Sequence, residues 1–315
     1  MAEATGRTLT LLTTAGLSNR LRVLLSGMTI AEATGRHFRM VWPQTSECAA
    51  TFPELFSTPW PVETPTEQTW QVEQHFHLRG HNEHDLLTAE TPDLYIHTYH
   101  SLLRPQQFPA HKVLYPRMAE LLTILQPTDE IEARIAAFQA NAFRPQMIGV
   151  HLRRGDFHLY QPGLMHNTDS AIRAVDGYLT QYPDAGILLC TDDGALNQYS
   201  GRPTSLEGIR AKFMQRYGER VVSTTPRSLD RRDPVATHDA LVDLWLLRRT
   251  DCFVGTVGSS FSGIALLGRT IPKTICESRH PLRHLTPMLY WLRGDQSLKW
   301  LARTYWRLIR PRVVK

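Results

Sequence analysis

The segment Ile148-Gly149-Val150-His151-Leu152-Arg153-Arg154-Gly155-Asp156-Phe157 is an apolar run that ends in a histidine, two arginines and an aspartate. Neighbouring side chains of an extended strand point to opposite faces, so Arg153 and Arg154 are expected to have different roles. Where the strand meets the next loop, one guanidinium can enter a cleft while Asp156 holds the other. A fixed guanidinium fork suits a pair of phosphate oxygens, so the segment predicts a phosphate-bearing ligand at the carboxyl end of a strand in an α/β domain. The alternative is an Arg–Asp pair that only closes the strand.

The sequence on the carboxyl side of this segment alternates between strand-like and helix-like patterns. We predict strands over 147–152, 186–190, 220–223, 252–256 and 273–276, and helices over 169–181, 206–217, 238–249 and 261–267. Strands that alternate with helices predict a mostly parallel sheet with helices on both faces.

The amino-terminal part begins as strand, helix and strand. We predict strands over 8–13 and 37–42, with a helix between them that is capped by Ser18 and stops at Gly35. Residues 46–90 are irregular, and their histidines are expected in a solvated loop or sheet edge rather than at a metal.

A strand over 94–98 and a helix that enters at Thr128 complete the first half. We therefore predict an amino-terminal Rossmann-like domain over 1–140, a carboxyl-terminal Rossmann-like domain over 141–297 and a basic amphipathic helix over 298–315.

Composition narrows the class of protein. The chain has 315 residues, enough for two domains, and its net charge of +5 comes without a basic stripe interleaved with aromatic residues, so nucleic-acid binding is not expected. The four cysteines are far apart in the sequence and lack metal-ligand spacing. Cys190 and Cys252 lie in apolar strand-like runs, where they are expected to pack as small hydrophobic residues, and this indicates a reducing compartment. No secretory signal is evident in residues 1–10, and no uncharged apolar run is long enough for a bilayer. We expect a cytoplasmic protein.

Polar residues follow several of the predicted strands in the second half. In a parallel sheet these strand ends meet at one edge, so His151 to Asp156, Asp192 with Asp193, and Gly258 to Ser260 are expected to form one site. The glycine and serines open a helix whose N–H groups can receive a phosphate, although an ordinary helix cap is the alternative. Asp192 and Asp193 have the alternative of capping a helix that begins near Gly194.

Asp243 lies in an otherwise apolar helical pattern, either facing the donor groups of a ligand or as a satisfied surface acid. The motifs of P-loop NTPases, zinc proteases, serine hydrolases and dinucleotide-binding enzymes are absent from the sequence.

In these residues the chain resembles the fucosyltransferase superfamily that includes nodulation-type and core α1,6-fucosyltransferases and protein O-fucosyltransferases. The matching segments are Gly16–Arg20, Phe52–Phe56, Gly149–Asp156, Thr191–Asp193, and the acids and serines from Asp243 to Ser260. The H-x-R-R-x-D element is the specific one. The resemblance implies an α/β protein of GT-B architecture, with two facing Rossmann-like domains with parallel sheets, GDP-fucose in the carboxyl-terminal domain and no required metal.

The resemblance also implies roles for single residues. Arg153 would contact the β-phosphate and assist the departure of GDP, while Arg154 would give structural support and pair with Asp156. His151 and Asp243 would contact the guanosine end of the donor. The remaining implied donor-binding residues are Ser259 and Ser260 at the phosphates, Asp192 beside them, and Gly16 and Asn19 from the amino-terminal domain.

The catalytic base departs from the family pattern. Core α1,6-type enzymes carry a candidate carboxylate shortly after the H-x-R-R-x-D element, and residues 157–161 of this chain contain none. His158 and Asp156 are the remaining candidates. We expect an inverting transferase that moves fucose from GDP-fucose to a hydroxyl of a glycan or glycolipid. The alternatives are a GT-B enzyme for another nucleotide sugar and a non-catalytic GDP-sugar-binding protein.

The carboxyl-terminal segment has its own pattern. From Leu298 onward no residue is acidic, and Lys299, Arg303, Arg307 and Arg310 recur at helical spacing beside an apolar stripe. Such a helix is typical of peripheral contact with a membrane, here its inner face. The alternative is a helix that packs across the two domains.

Overall fold

The computed structural model describes residues 6–65, 83–103, 109–154, 168–194 and 208–276. The helices of this part are α1 (Leu17–Thr34), α2 (Phe52–Leu55), α3 (Glu83–Thr88), α4 (Pro109–Ile124), α5 (Asp129–Ala142), α6 (Thr168–Gln181), α7 (Ile209–Tyr217), α8 (Pro234–Leu247) and α9 (Ser260–Leu266). The strands are β1 (Thr8–Leu12), β2 (His37–Val41), β3 (Val62–Glu63), β4 (Asp93–His97), β5 (Met147–Leu152), β6 (Gly186–Thr191), β7 (Val221–Val222), β8 (Cys252–Thr256) and β9 (Lys273–Cys276).

The strands form two parallel sheets. The first has the order β3-β2-β1-β4, and the second has the order β7-β6-β5-β8-β9. In the second sheet β5 is central: Met147 is in register with Gly186 on β6, and Ile148 with Cys252 on β8. All six residues of β5 are buried, as an apolar strand covered on both faces requires. The predicted parallel α/β architecture is confirmed.

Helix starts differ from the predictions for α1, α7 and α8. Helix α7 begins at Ile209, after its cap Gly208, and not at 206 as predicted. The cap of α1 is Gly16, whose carbonyl accepts hydrogen bonds from the N–H groups of Asn19 and Arg20, so the prediction of Ser18 as the cap is wrong. Helix α8 starts one turn earlier than predicted, because the Asp233 carboxylate accepts the N–H of Val235 at 2.9 Å. The proline that follows Asp233 fits the first helical position.

Some elements were not predicted at all. Residues 46–90, expected to be irregular, contain α2, β3 and α3. Helix α4 was also missed, because Pro116 interrupts its apolar spacing. The side chains of Met118, Leu121 and Leu122 on α4 are nevertheless buried in the core.

The two sheets share a continuous core. Helix α1 of the first sheet packs against α9 of the second, and α5 packs against α8. The rings of Phe56 and Trp245 lie 5.8 Å apart, and Arg249 of the second half pairs with Glu132 on α5 at 2.5 Å. The predicted domain limits stay predictions.

Several predictions fall outside this part of the chain. The carboxyl-terminal helix over 298–315, Asp156, His158, and His75, His77 and His81 lie outside the described residues, and of His84 only the backbone is described, in α3. None of the helices in the described part combines the length and apolar composition needed to cross a bilayer.

Candidate active site

The candidate site lies where the strand order of the second sheet reverses. From β5 the chain passes to β6 and β7 on one side, and β8 and β9 lie on the other side of β5. The carboxyl ends of parallel strands bind ligands at such a reversal, because the flanking connections leave in opposite directions and open a crevice. The residues that follow β5, β6 and β8 there are Arg153 with Arg154, Asp192 with Asp193, and Gly258 to Ser260.

At this edge of the sheet, the Asp192 carboxylate contacts groups from several arginines. Its carboxylate forms an ion pair with the Arg153 guanidinium, and its second oxygen accepts the backbone N–H of Arg154 at 2.5 Å. The guanidinium of Arg231 lies 3.5 Å from the same carboxylate. Arg153 keeps about a fifth of its side chain exposed, so the crevice presents a guanidinium held in a defined position.

Arg154 has a different environment from Arg153, as the strand geometry predicts. Its side chain is buried, and Nη2 donates to the Thr168 hydroxyl at 2.6 Å. The predicted Arg154–Asp156 pair stays a prediction, because Asp156 lies outside the described residues. Among the described residues, the carboxylate that meets the arginine pair is Asp192, from the end of β6.

The segment that carries Arg231 is fixed by a buried carboxylate that sequence reasoning did not identify. Asp239 on α8 is 6% exposed and accepts the backbone N–H of Arg227 at 2.6 Å and its Nε–H at 2.9 Å. Arg134 on α5 also donates to Asp239, at 2.6 Å. The sequence marks Asp239 only by its position one helical turn before Asp243. Arg231 is not marked by the sequence, because it is one arginine among several in a polar loop.

His151 is enclosed at the end of β5. Its ring is 5% exposed and stacks on Phe261 of α9, with 4.7 Å between the ring centroids. Nδ1 lies 2.8 Å from the hydroxyl oxygen of Ser262. The imidazole is therefore fixed by α9 next to the arginine pair.

Asp243 is part of α8, and its side chain contacts β6 and the residues after β7. Its carboxylate accepts the Thr224 hydroxyl at 2.5 Å and contacts the thiol of Cys190. Burial raises the pKa of Asp243 to about 6, against the opposing effects of the Thr224 hydrogen bond and the nearby charge of Arg210. Asp243 is thus not a freely solvated surface acid, and near neutral pH it can accept or share a proton.

The Asp193 carboxylate contacts the start of α7, whose cap residue is Gly208. It accepts the backbone N–H of Ile209, the first residue of α7, at 3.1 Å. The helix predicted to begin near Gly194 falls on residues 195–207, which lie outside the described residues, so it stays a prediction. In the described part of the chain, Asp192 therefore contacts the arginines, and Asp193 contacts the first N–H of a helix.

The two serines occupy the start of α9. Gly258 has a φ of +71°, which favours glycine, and Ser259 is the cap residue. The Ser259 side chain makes no capping hydrogen bond, so its hydroxyl remains available for a ligand at this end of the helix. Ser260 is the first residue of α9, and both serines are partly buried.

In the first sheet, the loop after β1 is held by a buried arginine. Arg20 is fully buried and donates to the carbonyls of Ala15 at 2.5 Å and Pro43 at 2.7 Å. Burial lowers the pKa of Arg20. Gly16 and Asn19 lie in this fixed loop and first turn, both partly exposed.

The described residues offer no cluster of metal ligands. In the parts of the chain that the structure describes, no three His, Cys, Asp or Glu side chains are placed together as a metal site would require.

No protein-family model matches the sequence, and no curated protein sequence matches it. Solved structures do match. A structure of NodZ α-1,6-fucosyltransferase soaked with GDP-fucose is 18% identical, with a TM-score of 0.54 over 83% of this chain and 92% of that chain. Fucosyltransferase NodZ from Bradyrhizobium is 17% identical, with a TM-score of 0.51 over 83% of this chain and 93% of that chain.

A second kind of transferase gives a similar match. POFUT1 in complex with GDP-fucose is 13% identical, with a TM-score of 0.53 over 88% of this chain and 99% of that chain. At these identities the likeness concerns the fold, and it agrees with the two parallel sheets described above. The chain has the GT-B fold of these fucosyltransferases, with two facing Rossmann-like domains.

Proposed function

We propose that this chain is a GDP-fucose-dependent glycosyltransferase that transfers fucose, with inversion, to a hydroxyl of a glycan or glycolipid. The observation that carries the proposal is the Arg153–Asp192 cluster at the strand-order reversal. It lies in a fold shared with NodZ soaked with GDP-fucose and with POFUT1 in complex with GDP-fucose.

The chemistry at this edge is electrostatic. In the transfer, the bond between the sugar anomeric carbon and the β-phosphate oxygen breaks, and a bond from the acceptor oxygen to that carbon forms on the opposite face. Negative charge develops on the departing diphosphate. The Arg153 fork and the N–H groups at the start of α9 stabilise it, at about 3–4 kcal/mol for each well-placed donor. In this proposal no metal is required.

The acceptor proton needs a base. We propose His158 or Asp156 for this role, because both follow closely on the arginine pair in sequence. His158→Ala should lower the transfer rate about 10²–10⁴-fold and preserve GDP affinity if His158 is the base. An unchanged rate would leave Asp156 or a dissociative route without a dedicated protein base, and Asp156→Asn distinguishes these two in the same assay.

The sugar of the donor needs a test of its own, because contacts to a diphosphate do not distinguish one sugar from another. Purified full-length protein is incubated with a panel of GDP-, UDP- and dTDP-sugars, with and without a mixed glycan acceptor, and released nucleotide is measured. GDP-fucose should be consumed. Consumption of another donor would replace fucose in the proposal. Tight GDP binding without turnover of any donor would favour the non-catalytic GDP-sugar-binding alternative.

The cellular placement of the chain is a separate proposal. We place the enzyme in the cytoplasm, in contact with the inner face of a membrane through its basic carboxyl-terminal segment. Truncation after Gln296 should abolish sedimentation with anionic liposomes and preserve activity on a soluble acceptor. Unfolding on truncation, or failure of the intact protein to bind such liposomes at low salt, would remove membrane contact from the proposal.

A further inference from the structure

The strands β5 and β8 separate before they reach the site. Their ladder pairs Ile148 with Cys252 and ends at Val150 with Val254. Beyond that point β5 continues along β6 as far as Leu152, and β8 continues along β9 as far as Thr256. The separation opens the crevice, and it also removes the backbone hydrogen bonds that would otherwise hold the end of β5 against β8.

A buried hydroxyl spans the gap where the ladder stops. Thr256 is 1% exposed, and its Oγ1 accepts the backbone N–H of Arg153 at 3.0 Å. The same hydroxyl donates to the carbonyl of His151, also at 3.0 Å. One side chain thus replaces two ladder hydrogen bonds at the residue from which the Arg153 guanidinium departs.

A second buried hydroxyl supports the first. Ser262 on α9 is 2% exposed; its Oγ accepts the N–H of Thr256 at 3.2 Å and lies 2.8 Å from Nδ1 of His151. This approach of α9 needs Gly255, because a Cβ there would lie 3.0 Å from the Ser262 oxygen and 2.5 Å from the Phe253 ring. We call Thr256 and Ser262 the hydroxyl clasp.

The opposite side of β5 is held in the same manner by β6. The Thr191 hydroxyl donates to the carbonyl of Leu152 at 2.8 Å, and Asp192 accepts the N–H of Arg154 at 2.5 Å. The backbone on either side of Arg153 is therefore fixed by side chains from both neighbouring strands. A guanidinium fork that recognises a diphosphate needs such fixation, because an error of about 1 Å in placement costs roughly 10²-fold in rate.

We propose that Thr256 and Ser262 are positioning residues of the donor site: Thr256 sets the backbone of Arg153, and Ser262 sets the ring of His151. The Ser262 hydroxyl accepts the Thr256 N–H and still has its own proton to donate. The proposal directs that proton to His151 Nδ1, which places the ring proton on Nε2. The proposal rests on the proposed function for its ligand, a nucleoside diphosphate sugar. Thr256 and Ser262 would act through Arg153 and His151 and would not contact the reacting atoms themselves.

The first test replaces Thr256 with its near-isostere. In Thr256→Val, kcat/KM for GDP-fucose should fall about 10–100-fold and GDP affinity should weaken, because the buried Arg153 N–H loses its acceptor. Thr256→Ser should restore both values to within about threefold, since the hydroxyl is kept. Hydrogen exchange at the Arg153 amide should accelerate about tenfold or more in Thr256→Val and stay slow in Thr256→Ser.

The chain provides a matched control in Thr250. This threonine is also 1% exposed, and its hydroxyl donates to the Leu247 carbonyl at 2.9 Å, but it precedes β8 at the opposite end of the strand. Thr250→Val should lower Tm to a similar extent while kcat/KM and GDP affinity stay at wild-type values. An equal loss of activity in both variants, or wild-type activity in a folded Thr256→Val protein, would overturn the positioning role.

The second test uses Ser262→Ala, which decides the matter if Thr256→Val does not fold. The ¹⁵N spectrum of His151 should show the Nε2–H tautomer in the wild type and a mixture of tautomers in the variant, with weaker GDP binding. Unchanged tautomer and affinity would contradict the role of Ser262. If the wild type consumes no donor at all, the proposed function fails. In that case the positioning roles of Thr256 and Ser262 are tested by hydrogen exchange at the Arg153 amide and by the His151 tautomer, because neither measurement needs a ligand.

Discussion

At the residue scale, three arginines of this chain show how environment assigns a role. Arg20 is buried among carbonyl oxygens and holds the loop after β1. Arg154 is buried against Thr168, while Arg153 meets Asp192 and keeps part of its guanidinium at the crevice. A buried guanidinium that donates to carbonyl and hydroxyl oxygens supports the local structure, and one that shares a carboxylate at an open edge can exchange that partner for an anionic ligand.

Arg153→Lys should reduce transfer by about 10²-fold or more and weaken GDP binding. A lysine ammonium can still pair with Asp192, but it is a point charge that cannot reproduce the bidentate fork. Steady-state turnover and calorimetric GDP titration check this result, and an unchanged Tm confirms that the fold is intact. Wild-type turnover in the folded variant would remove Arg153 from the donor site.

Asp243 gives a prediction for pH. Because burial raises the pKa of Asp243 to about 6, the folded protein binds its proton more tightly than the unfolded chain, whose ordinary value is 3.8. The stabilising effect of that proton is complete below about pH 4 and is lost as the pH rises through about 6. Asp243→Asn should therefore unfold with less pH dependence across this window and gain about 1–3 kcal/mol at pH 7.

The same variant separates stability from binding. If the Asp243 carboxylate accepts hydrogen bonds from guanine, Asp243→Asn should bind GDP at least about tenfold more weakly despite its greater stability. Chemical denaturation at pH 4, 5, 6 and 7, together with GDP titration at pH 7, measures both effects. If Asp243→Asn is less stable than the wild type at pH 7, the charged Asp243 carboxylate does not destabilise the folded protein as predicted.

At the element scale, the central strand and the helix that covers it are in very close contact. Gly149 on β5 lies under α8, where a Cβ would approach the Thr250 hydroxyl to 2.5 Å and a Leu247 methyl to 3.1 Å. This contact explains why the buried strand contains a residue with low β-propensity. It also sets the height of α8 above the sheet, and α8 carries Asp239 and Asp243.

Gly149→Ala should destabilise the protein by about 1–3 kcal/mol, because neither neighbour can move without disturbing the end of α8. Gly177→Ala is the matched control: Gly177 is an exposed position of α6, and a Cβ there would meet no atom within 4 Å, so the alanine should stabilise by about 0.5–1 kcal/mol. Urea unfolding of both variants measures the difference. Equal stabilities of the two would show that β5 and α8 are less closely packed than described.

At the scale of the whole molecule, the site depends on elements from distant parts of the chain. Asp239 joins α8 to Arg134 on α5, and the core is continuous between the two sheets. The positive groups around Asp192 come from the end of β5 and from the loop that carries Arg231. Several fixed donors from different elements can together provide the charge stabilisation that a metal ion provides in other transferases.

Transfer should therefore persist in excess EDTA at close to its full rate. The measurement is initial velocity with GDP-fucose after exhaustive dialysis against chelator, with Mn²⁺ and Mg²⁺ added back separately. Complete loss of activity in EDTA, restored by either ion, would assign charge stabilisation at the diphosphate to a metal instead of the arginines.

Sequence patterns were sufficient to predict the parallel α/β architecture and the sheet edge at which the candidate site lies. Buried apolar strands that alternate with amphipathic helices leave few other arrangements, and the polar residues that follow β5, β6 and β8 mark one end of the sheet. The distinction between Arg153 and Arg154 also followed from strand alternation.

Which groups meet at that edge depends on the tertiary packing. Asp192, which pairs with the Arg153 guanidinium, is 39 residues away in sequence, and the Thr256 hydroxyl that accepts the Arg153 N–H is 103 residues away. Asp192 and Asp193 are adjacent and chemically identical, yet one contacts the arginines and the other accepts the N–H of Ile209 at the start of α7. Local patterns specify where a polar residue leaves its element, whereas its hydrogen-bond partner depends on how separate elements pack, and no sequence spacing records that.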